Sequence, residues 1–290
     1  MADNLAVLAD WLLVDGYSFI FRAFFGIPKT FKAPDGRLVN AVRGFSDRLA
    51  SLVQERRPKR LAVANDDDWR PRFRVDLIPS YKTHRLAEPI PPELEPQMPL
   101  IMGYLEAAGV DVVGAPGYEA EDVIASLVAK IDGSVEIASG DRDLFALVRD
   151  SRVRVLYPEK TGLAVVDEAE VVRRYGIPGR AYADFAVLRG DPSDGLPGVA
   201  GVGPKKAADL LKRHGSVAGM LEAGLFGPRE REYLARAIQV VPPVATLDLE
   251  LPEGRRAEYP EQPKLFEAVV KALGLNTVGP RLMQALRLLS

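Results

Sequence analysis

Trp11-Leu-Leu-Val-Asp15 is the first of three short apolar runs that end on an acidic residue, and the others are Leu61-Ala-Val-Ala-Asn-Asp66 and Val135-Glu-Ile-Ala-Ser-Gly-Asp141. Such runs are typical of parallel strands that are buried on both faces. Ligands of an open α/β sheet bind at the carboxyl ends of its strands. The runs therefore predict one sheet edge with several carboxylates, which repel each other unless a divalent cation neutralises them.

Apolar runs and helical periodicity alternate along the first 175 residues, and this alternation predicts an α/β fold with a mostly parallel central sheet flanked by helices. Further strands are expected at Val110–Val113 and Val153–Tyr157, and a helix over Val166–Tyr175. Later residues suggest only short helices joined by Gly and Pro turns. The chain is expected to divide into an α/β core, residues 1–175, and a helical region, residues 176–290.

Nine acidic residues from five segments are candidates for the metal edge. They are Asp15, Asp66, Glu119, Glu121, Asp122, Asp141, Asp143, Asp191 and Asp194. Each has an ordinary alternative role, since acids are common at helix starts and in turns. Together they favour a hard cation, Mg²⁺ or Mn²⁺, because the chain has no Cys and only two His. Two such ions about 4 Å apart are typical of phosphodiester hydrolysis.

The net charge of −2 conceals segregated charge, because residues 56–85 contain nine Lys or Arg against four Asp. A second basic feature follows the glycine-rich stretch Gly198-Val-Ala-Gly-Val-Gly203. Lys205 and Lys206 occupy a predicted first helical turn, where the macrodipole disfavours cations, so an anionic partner is expected. A dinucleotide fingerprint is excluded because no apolar strand precedes the glycines.

The Pro-rich segment 69–99 is polar and basic, and is expected to be a functional loop, a lid or a disordered linker. Its cations alternate with aromatic residues, a combination that suits single-stranded nucleic acid. The residues are Arg70, Arg72, Arg74, Lys82 and Arg85 with Trp69, Phe73 and Tyr81. A solvated surface loop is the alternative. His84 and His214 are expected to be surface or packing residues rather than ligands.

Five motifs occur in the order found in one known family. They are Leu-Val-Asp15-Gly, Tyr118-Glu-Ala-Glu-Asp122, Gly140-Asp-Arg-Asp-Leu, Gly190-Asp-Pro-Ser-Asp194 and Gly198-Val-Ala-Gly-Val-Gly203. From about Leu12 to about Leu221, the chain resembles the 5′-nuclease (flap endonuclease) superfamily. Within it, the bacterial 5′→3′ exonuclease domain of family A DNA polymerases is most similar, here without a following polymerase. The resemblance implies a PIN-like core with a helical arch at about 69–99, and a helix–three-turn–helix at about 196–216.

The resemblance also implies roles for individual residues. The nine acids would hold two or more divalent ions, and Lys82 and Arg85 of the arch would act on the scissile phosphate. The helix–three-turn–helix commonly holds a K⁺ through backbone carbonyls. The residues implied to bind DNA are Arg22, Arg74, Gly201, Gly203, Lys205 and Lys206.

Two positions depart from the family pattern. After the second strand, the chain offers Asp66, Asp67 and Asp68 where the family has one Asp. The strand pattern favours Asp66, whereas the spacing to Phe73-Arg74 favours Asp67. Glu121 stands where the family usually has Asp; its extra methylene suggests binding through water or to a shifted ion.

The expected function is that of a metal-dependent 5′ flap endonuclease and 5′→3′ exonuclease in DNA replication and repair. Expected partners are branched or 5′-flap duplex DNA and RNA–DNA hybrids, with the protein acting as a monomer. Asp3 and Asp10 interrupt the apolar N-terminal stretch, which argues against a signal peptide and favours a cytoplasmic, nucleoid-associated protein without membrane contact. The alternative is a non-catalytic DNA-junction binder of the same fold.

Overall fold

A six-stranded sheet forms the centre of the computed structural model, which describes residues 9–160 and 162–289. The strand order is β3-β2-β1-β4-β5-β6; β6 is antiparallel to β5 and the other neighbours are parallel. The strands are β1 (Trp11–Asp15), β2 (Arg60–Ala64), β3 (Asp111–Val113), β4 (Val135–Ala138), β5 (Val153–Glu159) and β6 (Gly162–Val166). The predicted mostly parallel α/β sheet is confirmed.

Helices cover both faces of this sheet. In chain order they are α1 (Gly16–Gly26), α2 (Asn40–Arg56), α3 (Arg72–Leu77), α4 (His84–Ala87), α5 (Gln97–Ala108), α6 (Ala120–Lys130), α7 (Glu168–Tyr175), α8 (Tyr182–Arg189), α9 (Pro204–His214), α10 (Val217–Glu222), α11 (Pro228–Val240), α12 (Pro263–Leu273) and α13 (Val278–Leu286). Among the described residues, no helix is long and apolar enough to cross a membrane.

Alternate residues of each central strand enter different halves of the core. Leu13 of β1 packs in the half that includes α6, α8, α9 and α11. Leu12 and Val14 pack in the half formed with α1, α2 and α5. Because both faces are covered, the central strands are mostly apolar; the buried Glu136 of β4 is an exception and is paired with Arg56.

The last two helices belong to the α1–α2 side of the sheet. Helix α13 packs on α2, and α12 packs on α5. By contrast, α8, α9 and α11 lie on the other face. The stretch 176–290 therefore divides between two faces, and its predicted role as one DNA-binding region stays a prediction.

Two expected elements differ in the structure. The helix predicted over Val166–Tyr175 begins only at Glu168, because Asp167 caps it by accepting a hydrogen bond from the Glu170 amide. The residues before it form β6, which returns along β5 as a hairpin. The segment 69–99 is not a disordered linker: it contains the short helices α3 and α4, and its Tyr81 and Leu94 are buried.

Candidate metal centre

Three carboxylates lie together where neighbouring strands end. Asp15 ends β1 and caps α1 by accepting a hydrogen bond from the Ser18 amide at 3.0 Å. Asp66 follows β2, and Asp141 follows β4. All three line one cavity of about 490 Å³. This convergence results from the parallel order of β2, β1 and β4, which puts their carboxyl ends at one edge.

The tightest group of acids is formed by Glu121, Asp141 and Asp143. One carboxylate oxygen from each lies within 4.8 Å of the others. Glu121 stands in the first turn of α6. Asp143 begins a 3-10 helix, and its backbone amide donates a hydrogen bond to the Asp141 carboxylate at 2.9 Å. The longer side chain of Glu121 thus still reaches the group. Three oxygens at this spacing suit a hard divalent cation.

Asp191 and Asp194 line a second cavity of about 280 Å³, together with Asp141 and Asp143. Asp191 accepts hydrogen bonds from Arg189 at 2.9 Å and from the Ser193 amide at 3.0 Å. Asp141 lines both cavities, so the two cavities are neighbours that share this wall.

Burial raises the pKa values of four acids at the site, Asp15, Asp66, Glu121 and Asp143. The pKa of Asp15 is raised to about 6, and that of Asp66 to about 8, where the charge of Asp15 adds to the effect of burial. Burial also raises the pKa values of Glu121 and Asp143 well above the ordinary range. The cluster therefore has too little positive charge nearby to keep all of its carboxylates ionised. Its potential metal ligands are all oxygens, in a chain without Cys.

The geometry favours Asp66 over its neighbours as the acid that follows β2. Asp66 lines the larger cavity and accepts a hydrogen bond from the Ala120 amide. Asp67 is exposed and accepts instead from the Gly117 amide at 2.8 Å. Asp68 is engaged by the Arg70 amide at 3.0 Å.

Glu119 accepts hydrogen bonds from four side chains of the segment 69–99. Its Oε1 accepts from Lys82 Nζ at 2.7 Å and from Arg85 Nη1 at 3.0 Å. Its Oε2 accepts from the Tyr81 hydroxyl at 2.7 Å and from Arg74 Nη1 at 2.9 Å. Lys82 is only 2% exposed. The two cations predicted to act on phosphate thus lie at the carboxylates rather than in solvent.

The prediction that Arg74 binds DNA is wrong, because Arg74 is 0% exposed. Its Nη1 and Nη2 donate to the two carboxylate oxygens of Asp122 at 2.8 and 2.7 Å. Asp122 also accepts from the Val244 amide at 2.8 Å and is fully buried. It therefore lies behind the cavities as the partner of Arg74, rather than on their walls as predicted for a direct ligand. Tyr81 is likewise buried, so its ring cannot stack on a base.

Some residues around the site were not predicted. Ser139 donates to Asp15, and Tyr17 and Phe21 line the larger cavity. The Trp69 ring stacks on Phe21 at 6.0 Å between centroids, and the Arg85 guanidinium lies over the Trp69 ring, 4.9 Å from its centroid. A sequence signal existed for Tyr17 and Phe21, which are four residues apart in the helix that begins after Asp15. His84, predicted as a surface or packing residue, is exposed and lines both cavities.

The remaining predicted DNA-binding residues lie on the surface, and the Arg22 guanidinium lies beside Gly140, the residue before Asp141. Arg22, Gly201, Gly203, Lys205 and Lys206 are exposed. Gly201 has a positive φ of 70° and open space around it. Gly203 precedes α9, and the two lysines stand in its first turn.

Comparison with known proteins agrees with this architecture. Residues 10–176 match the 5′-3′ exonuclease N-terminal resolvase-like domain, and residues 177–248 match the 5′-3′ exonuclease C-terminal SAM fold. The chain belongs to the 5′-3′ exonuclease family. A Streptomyces coelicolor 5′-3′ exonuclease is 45% identical over 95% of this chain and 99% of its own length. A Mycobacterium tuberculosis 5′-3′ exonuclease is 53% identical over 73% of each chain.

A solved structure, the T5 D15 protein co-crystallised with metal ions, shares the fold of this family member. Its TM-score is 0.65 at 18% identity, covering 97% of this chain and 99% of that chain. The likeness to the T5 protein shows a shared fold at low sequence identity.

The raised pKa values predict a pH dependence of metal-free stability. Asp15 and Asp66 titrate near 6 and 8 in the folded protein, against an ordinary value of 3.8. The folded state therefore binds more protons between these limits, and the free energy of unfolding should fall as pH rises from 5 to 8, by at most about 1.4 kcal/mol per pH unit for each proton. Urea unfolding in EDTA measures this slope.

Asp66→Asn should flatten the slope above pH 6. Asp10→Asn is a matched control: the pKa of Asp10 is lowered to about 2 by its bond to Lys59, so its contribution is constant above pH 5. An equal slope in wild type and Asp66→Asn would contradict the raised pKa.

The turn after Asp194 holds the segment 69–99 against the acids. Lys82 N donates to the Asp194 carbonyl at 3.0 Å, and Ser80 Oγ donates to the Gly195 carbonyl at 2.7 Å. At Gly195, φ is +69°, and a Cβ would lie 1.9 Å from the Ser80 carbonyl oxygen. Only glycine permits this approach.

Gly195→Ala should therefore separate Ser80 and Lys82 from the acids. Gly224→Ala is the control, because Gly224 has nearly the same φ (+68°) but open space around it. The free energy of unfolding of this variant should fall by only about 1–2 kcal/mol. Gly195→Ala should lose more stability than Gly224→Ala in thermal unfolding. Limited proteolysis should also cleave it faster within residues 69–99. Identical behaviour of the two variants would show that this contact does not hold the segment.

Proposed function

We propose that the chain is a divalent-metal-dependent nuclease that removes 5′ flaps and 5′-terminal nucleotides from DNA. The observation that supports this most is the group of Glu121, Asp141 and Asp143 oxygens at the carboxyl edge of the sheet. Membership of the 5′-3′ exonuclease family supports the polarity of cleavage. Relatives named DNA polymerase I support a role in DNA replication and repair.

The proposed cofactors are two or more Mg²⁺ or Mn²⁺ ions. One ion would face Asp15, Asp66 and the group of Glu121, Asp141 and Asp143. A second ion would be held by Asp191 and Asp194 together with Asp141 and Asp143. Bound there, the ions would lower the pKa of a water nucleophile and stabilise the leaving oxygen. A K⁺ at the glycine-rich turn before α9 remains part of the proposal.

Lys82 and Arg85 are proposed to hold the scissile phosphate. Their ammonium and guanidinium groups line the larger cavity and donate to Glu119 at 2.7 and 3.0 Å. A phosphate oxygen is an equally good acceptor, so the same donors would serve it at this wall. Since Lys82 is only 2% exposed, its charge acts more strongly than it would at an open surface. His84 would lie beside the same phosphate.

Duplex DNA is proposed to bind through the exposed residues Arg22, Gly201, Gly203, Lys205 and Lys206. Phosphate contacts position a duplex without reading its sequence, as selection by shape requires. A T5 D15 flap endonuclease variant of the same fold has been crystallised as a pseudo-enzyme-product complex with DNA and metal ions. RNA–DNA hybrids as further substrates, a monomeric state and nucleoid association complete the proposal.

Cleavage of a 5′-labelled flap duplex tests this function. Wild type with Mg²⁺ or Mn²⁺ should release the flap and short 5′ products, and EDTA should abolish them. Asp141→Asn and Asp143→Asn each remove one oxygen of the tight group, so each should lower the rate by about 10²-fold or more. Product lengths resolved on a gel measure both effects.

Asp10→Asn is the matched control, because Asp10 bonds Ser134 and Lys59 away from the cavities. It should cleave at the wild-type rate. Flap binding without cleavage by wild type under all metal conditions would contradict the proposal and favour a junction-binding protein.

A further inference from the structure

The guanidinium of Arg74 is completely enclosed by the protein. Its Nη groups donate to Glu119 at 2.9 Å and to Asp122 at 2.7 and 2.8 Å, and Nη2 lies 3.1 Å from Glu121. Its Nε donates to the Val240 carbonyl at 2.9 Å. A buried arginine is tolerated only when its donors are satisfied, and here both edges of the guanidinium are. This arrangement excludes contact with DNA.

The three carboxylates that contact Arg74 all belong to residues at the start of α6. Glu119 is the N-cap residue, and the Asp122 carboxylate accepts a hydrogen bond from the Glu119 amide at 3.3 Å. Glu121 contacts Arg74 and also contributes to the oxygen group with Asp141 and Asp143. Arg74 thus bonds the cavity-lining acids Glu119 and Glu121 from the side away from solvent.

The end of α11 fixes the same helix start. Besides the Val240 carbonyl that accepts from Arg74, the Val244 amide donates to Asp122 at 2.8 Å. Ser126, one turn further along α6, donates to the Val244 carbonyl at 2.9 Å and accepts from the Leu247 amide at 3.1 Å. The backbone of residues 240–247 therefore holds both Arg74 and α6.

We infer that Arg74 is a positioning residue of the metal centre, acting through Glu119 and Glu121 without touching DNA. The inference rests on the metal centre proposed above. Three carboxylates crowd around this guanidinium, and without a fixed cation they would rotate apart or protonate. Partners of metal ligands that fix ligand orientation typically change metal affinity or activity by 10- to 100-fold when they are lost. Arg74, held by Val240, supplies that orientation.

Mn²⁺ titration of DNA-free protein, followed by electron paramagnetic resonance, tests the inference. Arg74→Gln should bind Mn²⁺ about 10- to 100-fold more weakly than wild type. Arg74→Lys should recover part of the loss, because it keeps the charge but lacks the planar fork. Arg56→Gln is the matched control: Arg56 donates to the buried carboxylate of Glu136, near the other end of β4. It should match wild type in Mn²⁺ affinity.

The salt dependence of flap binding in EDTA separates orientation from DNA contact. Arg74→Gln should keep the wild-type salt slope, whereas loss of a phosphate contact would flatten it by about one unit. Equal or tighter Mn²⁺ binding by a folded Arg74→Gln would overturn the inference. If circular dichroism shows that Arg74→Gln is unfolded, Arg74→Lys decides, and wild-type Mn²⁺ affinity in it would overturn the inference. Absence of Mn²⁺ binding by wild type would instead refute the proposed metal centre itself.

Discussion

Mutual repulsion among buried carboxylates is the constraint on which the rest of this structure depends. The parallel order of β2, β1 and β4 brings acids to one edge, and the start of α6 adds three more. Fully buried acids of like charge are unstable without compensation. In the part of the chain that the structure describes, Lys82 and Arg74 supply this compensation from the segment 69–99. These ion pairs, together with the buried Tyr81 and Leu94, hold that segment against the core.

The same constraint connects distant parts of the chain. Arg74 reaches the Val240 carbonyl, and Lys82 lies 4.0 Å from Asp194. The acids at the sheet edge thus contact the segment 69–99, the turn at 191–195 and the end of α11. Duplex DNA bound near α9 would lie on the same half of the core as these contacts. A few hydrogen bonds therefore connect the acids at the sheet edge with these three segments.

The features predictable from sequence are those set by neighbouring residues. Asp15 and Asp141 follow apolar strands, so their position at the sheet edge follows from local pattern. Burial of Arg74 depends on partners 45, 48 and 166 residues away, which no local pattern contains. Its flanking Phe73 and Val75 were the only signal that this arginine faces inward. Deciding whether Asp66 or Asp67 is the acid at the sheet edge required knowing the residue at which β2 ends, because the two differ by one position.

Crystals grown with Mn²⁺ test the central claim most directly, because anomalous scattering locates the ion without assuming an activity. The account predicts a peak within coordination distance of Glu121, Asp141 and Asp143, with the Arg74 guanidinium still bonded to Glu121. Mn²⁺ found only at other sites, with Asp141 and Asp143 paired to lysine or arginine instead, would contradict it. In that case the carboxylate edge would be a buried ion-pair network rather than a metal centre.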